Sequence, residues 1–244
     1  MSKIVAVWGE PGAGKSTLSA ALAQRLSNDY NAVLVVNPDP IVPAFSMWGV
    51  DKDDIPSIGE TLNFPELTQT FIRRNTVVYP DNDKIGLMGY LSKESIERHD
   101  PIERESAKKL LNLAKEFAEI TIVDCCLPQT DTVSYEAIFS ADSVITLVEP
   151  NGRGIGFYFS MSPIFSYLEK ADIQHAFSAA KIRGESPLTQ AEEVIGKKFD
   201  AKLPFVKEAL DHMDERNLFV KYAGIYQKEI DRLAERIKAA VKNE

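Results

Sequence analysis

Continuous apolar runs alternate along the chain with stretches whose apolar residues recur at helical spacing. The runs predict strands over residues 3–8, 32–36, 85–91, 120–124, 144–148 and 175–180. Most of these runs are apolar throughout, which is typical of parallel strands that helices cover on both faces. We therefore predict an α/β fold with a single doubly wound, mostly parallel sheet and helices on both of its faces.

The stretches with helical spacing lie between or after the predicted strands. They predict helices over residues 15–27, 102–118, 156–171 and 222–242, with a bend near Pro163 in the third. Prolines interrupt residues 38–82, so short helices and loops are expected there. Without an internal repeat or a clear linker, one domain over residues 1–244 is the simplest organisation.

Composition narrows the function classes. Of 244 residues, 44% are hydrophobic and 26% are charged, and the formal net charge is −8. This balance argues against constitutive, charge-driven binding of nucleic acid, although a local basic patch stays open. The two cysteines are adjacent and suit no disulfide framework, so a cytoplasmic setting is expected. We expect no signal peptide, and no apolar run approaches the ~20 residues of a transmembrane helix.

One motif carries recognisable chemistry. Residues 9–16 read Gly-Glu-Pro-Gly-Ala-Gly-Lys-Ser and match the phosphate-binding P-loop pattern in full. The motif follows a predicted strand and opens a predicted helix, as its mechanism requires. Its glycines let the backbone curl, so that several N–H groups and the positive end of the helix dipole point at phosphate.

We expect this loop to bind ATP with Mg²⁺. Lys15 would place its ammonium on the β- and γ-phosphates, and Ser16 would supply a hydroxyl to the metal. No Asn-Lys-x-Asp guanine signature supports a GTPase. The residues predicted to bind the cofactor here are Glu10, Pro11, Gly12, Ala13, Gly14, Lys15, Ser16 and Thr17.

Two carboxylates are expected to face the loop as its acidic partners. Asp124 ends the strand 120–124, and Asp39 lies just past the strand 32–36. In an open parallel sheet, sites form outside the carboxyl ends of the strands, so both side chains should point toward Lys15. Aspartate is also common in turns, and a turn-capping role is the alternative for each.

Taken together, these segments resemble the MinD/ParA branch of P-loop ATPases over nearly the whole chain. Besides the loop, the resemblance rests on Asn37-Pro38-Asp39-Pro40, Asp124-Cys125-Cys126-Leu127-Pro128, Ala141-Asp142 and Leu203-Pro204-Phe205. It implies ATP held between two subunits of a dimer, with Asp39 positioning the attacking water. It further implies that Asp124 senses the γ-phosphate and Mg²⁺ through a switch loop, and that Pro204 and Phe205 lie near the base.

The resemblance also implies a biological role. Nucleotide state would control homodimerisation and the binding of a protein partner in a larger machine, such as a pilus, secretion or conjugation apparatus, or of DNA. Variant loops of this kind occur in the TadZ/CpaE-like relatives, which act as polar localisation factors. DNA binding gains no support from the net charge of −8.

Two departures from the family pattern bear on catalysis and on base recognition. The family's loop has a signature lysine at its second position, which reaches across the dimer, and Glu10 stands there. A carboxylate beside triphosphate is unfavourable unless it points away or binds a cation. Arg153 is either a substitute cation or a solvated loop arginine. The family's base-reading asparagine is missing, because Ala180-Lys181-Ile182 occupies its place.

Two weaker features are best explained by ordinary structural roles. Cys125 and Cys126 are expected to be small buried side chains, since free cysteine is among the most buried residue types. Lys228, Arg232 and Arg236 form a stripe on the last predicted helix that could contact DNA or an anionic membrane. Acidic residues are interleaved with that stripe, which favours a solvated face.

Three hypotheses on function stay open. The first is an ATP-dependent dimeric switch with weak ATPase activity. The second is a metabolic enzyme, a small-molecule kinase or an ATP-dependent ligase, whose substrate pocket residues 44–95 would build with Trp48, Phe64 and Tyr79. The third is a scaffold that binds nucleotide without hydrolysing it, and Glu10 motivates it.

Overall fold

The fold is described by a computed structural model that covers residues 2–50, 55–171 and 173–239, apart from the side chain of Ile96. Its strands are β1 (Lys3–Gly9), β2 (Val33–Asn37), β3 (Val77–Val78), β4 (Ile85–Gly89), β5 (Ile120–Asp124), β6 (Ser143–Val148), β7 (Gln174–Ile182) and β8 (Ala201–Pro204). Within the described residues these strands form one sheet in the order β3-β4-β2-β5-β1-β6-β7-β8. All neighbours are parallel except β3, which pairs antiparallel with β4 at the edge.

Helices connect and cover these strands. They are α1 (Lys15–Leu26), α2 (Ile58–Leu62), α3 (Gln69–Arg74), α4 (Arg104–Phe117), α5 (Thr132–Ser140), α6 (Gly152–Ser160), α7 (Ser162–Lys170), α8 (Glu185–Ile195), α9 (Glu208–Asp214) and α10 (Gly224–Ala239). Short 3₁₀ turns lie at Ala44–Ser46 and Ile96–Arg98. The predicted fold, a doubly wound and mostly parallel sheet between helices, is confirmed.

The central strand explains why both faces of the sheet are covered. Successive side chains of a strand point to opposite faces. Val5 and Val7 pack into one core with α1 and α10, whereas Ile4, Ala6 and Trp8 pack into the other core with α4, α5 and α7. A strand buried on both sides must be apolar throughout, which is the pattern that the sequence shows.

Two predicted helices differ in detail from the structure. The helix predicted over residues 156–171 is two helices, because α6 ends at Ser160 and α7 begins at Ser162, with Pro163 in its first turn. Proline lacks the N–H that a continuous helix needs and suits the first turn of a new one. The C-terminal helix runs over Gly224–Ala239, and the predicted residues 240–242, including Val241, lie outside the described residues.

The fold brings one set of loops to one edge. The ends of β1 and β5 lie side by side, with Val7 paired to Asp124, and Gly9 pairs with Leu147 of β6. The loops after β1, β2, β5, β6, β7 and β8 therefore meet at the carboxyl edge of the sheet, where doubly wound folds bind ligands. In the part of the chain that the structure describes, none of the helices has the length and apolarity needed to cross a membrane.

Candidate nucleotide site

The phosphate-binding loop leaves the sheet at Gly9. This residue has φ of 140°, and a β-carbon there would lie 2.0 Å from the carbonyl oxygen of Leu147 on β6. The backbones of β1 and β6 could not approach so closely with any other residue type. The first glycine of the motif is therefore required by the packing of two strands, independently of any ligand.

The loop then opens into the N-terminus of α1. Gly14 is the N-cap residue, adopts the left-handed conformation with φ of 92°, and offers no side chain to cap the helix. The first N–H groups of a helix have no partner inside the helix and carry the positive end of its dipole. An uncapped and curled helix start of this kind suits a phosphate group.

Glu10 turns away from this concave surface. Its side chain is 2% exposed and does not line the cavity that the loop encloses. Oε2 accepts a hydrogen bond from the backbone N–H of Glu149 at 3.0 Å, and Oε1 lies 3.1 Å from Nε of Arg153, an ion pair without hydrogen-bond alignment. The side chain of Glu10 therefore anchors the loop to the segment after β6, and its part in cofactor binding stays a prediction.

Arg153 contacts the phosphate-binding loop from outside the cavity. Besides its ion pair with Glu10, it donates from Nη2 to the carbonyl oxygen of Pro11 at 2.9 Å. Its side chain is 69% exposed. Arg153 does not line the cavity. It is also not a freely solvated arginine, because its charge compensates the buried carboxylate of Glu10.

Lys181 contacts the phosphate-binding loop from β7. It follows the buried part of β7, has φ of 52°, and donates from Nζ to the carbonyl oxygen of Gly12. The same ammonium lies 3.3 Å from Oε1 of Glu149. Two cations therefore reach the outer carbonyl groups of the loop from β7 and from α6, and each of them has a carboxylate partner.

Lys15 and Asp124 both line the cavity. Nζ of Lys15 donates to the carbonyl oxygen of Glu10 at 3.2 Å, which folds the side chain back over the loop. Asp124 is 1% exposed, and burial raises the pKa of its carboxyl, while the Ser16 hydroxyl, the Lys15 charge and the Asn37 amide oppose that rise. The buried carboxylate thus has a cation and two hydrogen-bond donors around it.

Asn37 joins the two predicted acidic residues. Its Nδ2 donates to Oδ2 of Asp124 at 2.8 Å, and its Oδ1 accepts from the backbone N–H of Asp39 at 3.2 Å. We did not predict Asn37 as a site residue. The sequence shows only that Asn37 lies just past a predicted strand; the fold places that strand, β2, next to the strand that ends in Asp124.

Asp39 lies at the cavity and also caps a turn. Its Oδ1 accepts hydrogen bonds from the backbone N–H groups of Ile41 and Val42, at 2.9 and 3.1 Å. Both interpretations of Asp39 therefore describe something present in the structure. One carboxylate oxygen fixes the loop after β2, and the residue also lines the cavity.

A cavity of about 760 Å³ connects these groups. The loop residues 11–17 line one side of it, together with Asn37, Asp39 and Asp124. Pro204 and Phe205, predicted to lie near the base, line the far end with Ala180, Lys181 and Leu203. A volume of this size is in the range of small-molecule and cofactor sites.

The residues present suit a nucleotide with its metal ion. Helix start, glycine backbone and Lys15 converge on one place, and the hydroxyl of Ser16 and the carboxylate of Asp124 lie beside each other there. Oxygen ligands of this kind are those that Mg²⁺ prefers, usually one or two from the protein beside phosphate oxygens and water. Among the described residues, no group of three His, Cys, Asp or Glu side chains forms an all-protein metal site.

The segment after Asp124 is held by buried polar contacts. Cys125 is buried, whereas Cys126 is half-buried, lines the cavity and donates its backbone N–H to Oγ of Ser134 at 3.0 Å. Burial raises the pKa of Cys126 to about 12, so its thiol is protonated at neutral pH. Asp131 caps α5, and burial raises the pKa of its carboxyl to about 6.

Other predicted features lie away from the cavity. Trp48 and Tyr79 are buried in the core, and Phe64 stacks on Phe71 at the surface with ring centroids 4.3 Å apart. Arg236 of the predicted basic stripe forms an ion pair with Asp200 at 3.0 Å. Neither the aromatic set nor the stripe contributes a described side chain to the cavity.

Comparison with known proteins identifies the family. The family model of the AAA domain matches residues 2–159, a stretch that holds the phosphate-binding loop, Asn37, Asp39 and Asp124. The chain belongs to the AAA domain family. Among curated proteins, none matches this AAA domain protein in sequence.

Solved structures share the whole fold of this AAA domain protein. The septum site-determining protein MinD of Pyrococcus horikoshii, solved with Mg-ADP, superposes with a TM-score of 0.77 at 18% identity over 99% of this chain and 98% of that one. A ParA family ATPase from Chlorobium tepidum has the same TM-score and identity, over 96% and 99% of the two chains. A plasmid partition protein from Borrelia burgdorferi bound to AMPPNP has a TM-score of 0.73 at 17% identity, over 98% and 99%.

At these identities the likeness establishes the fold and not the activity. The predicted resemblance to the MinD/ParA branch is confirmed as a shared fold across nearly the entire chain. The finer resemblance to TadZ/CpaE-like proteins stays a prediction.

Proposed function

We propose that the protein binds ATP with Mg²⁺ in the cavity at the carboxyl edge of the sheet and hydrolyses it. The observation that carries the proposal is the buried carboxylate of Asp124, which lines the same cavity as Lys15 and Ser16 at the start of an uncapped helix. Burial disfavours the charge of a carboxylate, so an ionised aspartate at this position would lower the stability of the fold unless it binds a cation.

Each residue has a role that follows from its position. The loop N–H groups and Lys15 would hold the phosphates, and Ser16 and Asp124 would hold Mg²⁺, which neutralises developing charge on phosphate oxygens when bound. Asn37 orients the Asp124 carboxylate through its 2.8 Å hydrogen bond. Oδ1 of Asp39 is used in the turn, so Oδ2 is the oxygen assigned to orient the attacking water.

The proposal includes a switch in self-association. Proteins of the same fold include a septum site-determining protein and a plasmid partition protein, and their names describe positioning and partition. By analogy of fold, the nucleotide state of this chain would control formation of a homodimer and the binding of a protein partner in a larger machine. A TadZ/CpaE-like role in polar localisation is the specific form proposed.

Hydrolysis is tested by phosphate release from purified protein with ATP and Mg²⁺. Lys15→Ala should abolish release, because it removes the ammonium that binds the phosphates. Lys170→Ala, at an exposed position on α7, is the matched control and should leave release unchanged. Equal turnover by the wild type and the Lys15→Ala variant would mean that the activity comes from elsewhere.

Self-association is tested separately by light scattering after size-exclusion chromatography. With AMPPNP and Mg²⁺ the mass should double relative to the ADP form, and Lys15→Ala should remain at the ADP value. Nucleotide binding without any change in mass would retain the ATPase and reject the switch.

Two competing functions remain to be tested. The scaffold hypothesis was motivated by Glu10, whose side chain does not line the cavity. The metabolic-enzyme hypothesis was motivated by Trp48, Phe64 and Tyr79, which also lie outside it. Turnover in the phosphate-release assay rejects the scaffold, and turnover without any added metabolite argues against the enzyme.

A further inference from the structure

We infer that this site holds the nucleobase by stacking and apolar contact, with little discrimination between one base and another. The inference rests on the proposed nucleotide binding and deepens it, since it concerns which nucleoside triphosphates the cavity accepts. It is carried by the chemistry of the cavity wall outside β7 and β8.

The sheet order fixes the end of the cavity at which the base lies. Asp124 and Asp39 follow β5 and β2, which lie on one side of β1, so the metal and the terminal phosphate belong there. Strands β6, β7 and β8 lie on the other side of β1. A nucleotide whose phosphates are held by the loop after β1 therefore extends its base toward the ends of β7 and β8.

That end of the cavity is a mainly apolar wall. Ala180 comes from β7, and Leu203, Pro204 and Phe205 come from β8 and the residue after it. The guanidinium of Arg183 lies 4.4 Å from the centroid of the Phe205 ring. A ring backed by a guanidinium presents a flat π surface, and every base has a π face that can stack on such a surface.

Two polar groups of this wall are already engaged, and a third is indifferent to the base edge. Nζ of Lys181 donates to Gly12 and pairs with Glu149, and the backbone N–H of Phe205 donates to the carbonyl oxygen of Ile182 at 3.0 Å. Tyr226, on a helix that packs against β8, also lines the cavity. A tyrosine hydroxyl can donate or accept, so it suits an amino group and a keto group equally.

Base selectivity requires a fixed donor or acceptor at the base edge. Adenine and cytosine present an amino group where guanine and thymine present a keto oxygen. A site built to hydrogen-bond one such group rejects analogues that lack it by ~10⁴-fold, whereas apolar contact discriminates only weakly. The expected ratio of Kd values between GTP and ATP is therefore about tenfold or less.

The test is isothermal titration calorimetry of the full chain with Mg²⁺ and the non-hydrolysable imido analogues of ATP and GTP. Kd values within about tenfold of each other are expected. A larger preference for either base overturns the inference and leaves the proposed nucleotide binding intact. If neither analogue binds, the proposed function fails, and the inference fails with it.

A variant at Lys181 makes the test specific for the wall. Lys181→Asn introduces an amide with a donor and an acceptor, and asparagine tolerates the left-handed backbone at this position better than most residues. The ratio of Kd values should change by threefold or more, on the order expected for one new hydrogen bond. Lys170→Asn on α7 is the matched control and should leave the ratio unchanged. An unchanged ratio in Lys181→Asn overturns the assignment of this wall to the base.

Discussion

Asn37 donates a hydrogen bond to the buried carboxylate of Asp124, and with its other amide atom it accepts one from the backbone of Asp39. One side chain at the end of β2 thus fixes both predicted acidic residues relative to each other. An aspartate at position 37 could not donate this bond while ionised and would put a second carboxylate against the first. The amide is what allows Asp124 to stay both buried and hydrogen-bonded.

The first prediction concerns that amide. Asn37→Ala should lower the free energy of unfolding by about 1–3 kcal/mol, because Oδ2 of Asp124 loses its buried donor. Asn37→Asp should be more destabilising at pH 8 than at pH 5, since the two carboxylates repel when both are ionised. Urea denaturation measures both, and Asn31→Ala, at an exposed position, is the control. Equal stability of the wild type and Asn37→Ala would show that the bond contributes nothing.

The second prediction concerns Glu10 and Arg153. Glu10→Lys would bury an ammonium beside the Arg153 guanidinium and should cost about 3–5 kcal/mol of stability. Glu10→Gln keeps the shape and an acceptor for the N–H of Glu149, so its loss should be smaller. Chemical denaturation of the two variants gives the comparison.

A double variant separates charge from packing at this position. Arg153→Glu in the Glu10→Lys background reverses both charges and should recover part of the lost stability. The view that Glu10 anchors the loop fails if Glu10→Lys unfolds at the same denaturant concentration as the wild type.

The third prediction concerns pH. Burial raises the pKa of Asp131 from 3.8 to about 6 in the folded protein, so between these values the folded state binds more protons than the unfolded state. Stability from this group is then present at the acidic end and is lost as the pH rises through about 6. Asp131→Asn keeps an oxygen to accept the N–H of Ser134 and carries no charge.

Asp131→Asn should therefore be more stable than the wild type at pH 8, by on the order of 2 kcal/mol, and should match it near pH 4. Denaturation curves at pH 4, 6 and 8 measure the difference. A difference that does not grow with pH across this window contradicts the prediction.

The fourth prediction concerns removal of the metal. ATP with Mg²⁺ at one hundred times its Kd should stabilise the folded protein by about 2.7 kcal/mol. EDTA should remove most of this gain, because the proposed Ser16 and Asp124 ligands act through the metal. Ser16→Ala should show a gain that is small with or without EDTA. Thermal unfolding monitored by circular dichroism is the measurement, and a gain insensitive to EDTA in the wild type would exclude the proposed metal role.

The sequence was most informative where a residue's surroundings are local or follow from periodicity. Continuous apolar runs predicted β1, β2 and β5 to within a residue or two, because a strand covered on both faces must be apolar along its length. The glycines predicted a curled loop, because few other residues adopt the backbone angles found at Gly12 and Gly14. The strand order was not predicted, since several orders satisfy the same pattern.

Elements with a weak pattern were missed. The strand β8 is four residues long, and its exposed Lys202 interrupts the apolar run. The helix α9 has no buried residue, so it lacks the apolar face that would have signalled it. The two-residue strand β3 depends on its pairing with β4 and has no signal of its own.

The sequence by itself determined the phosphate-binding loop, the strands beside it and the two aspartates at or just past strand ends. Backbone conformation and burial on both faces restrict which residue types can stand at these positions, so the local sequence reveals them. Only the tertiary structure decided that Glu10 turns away to meet Glu149 and Arg153, that Asn37 joins Asp124 to Asp39, and that Lys181 reaches the loop from β7. The direction of a side chain depends on which distant segments lie beside it. Those neighbours are set by the packing order of the strands, which no single stretch of sequence contains.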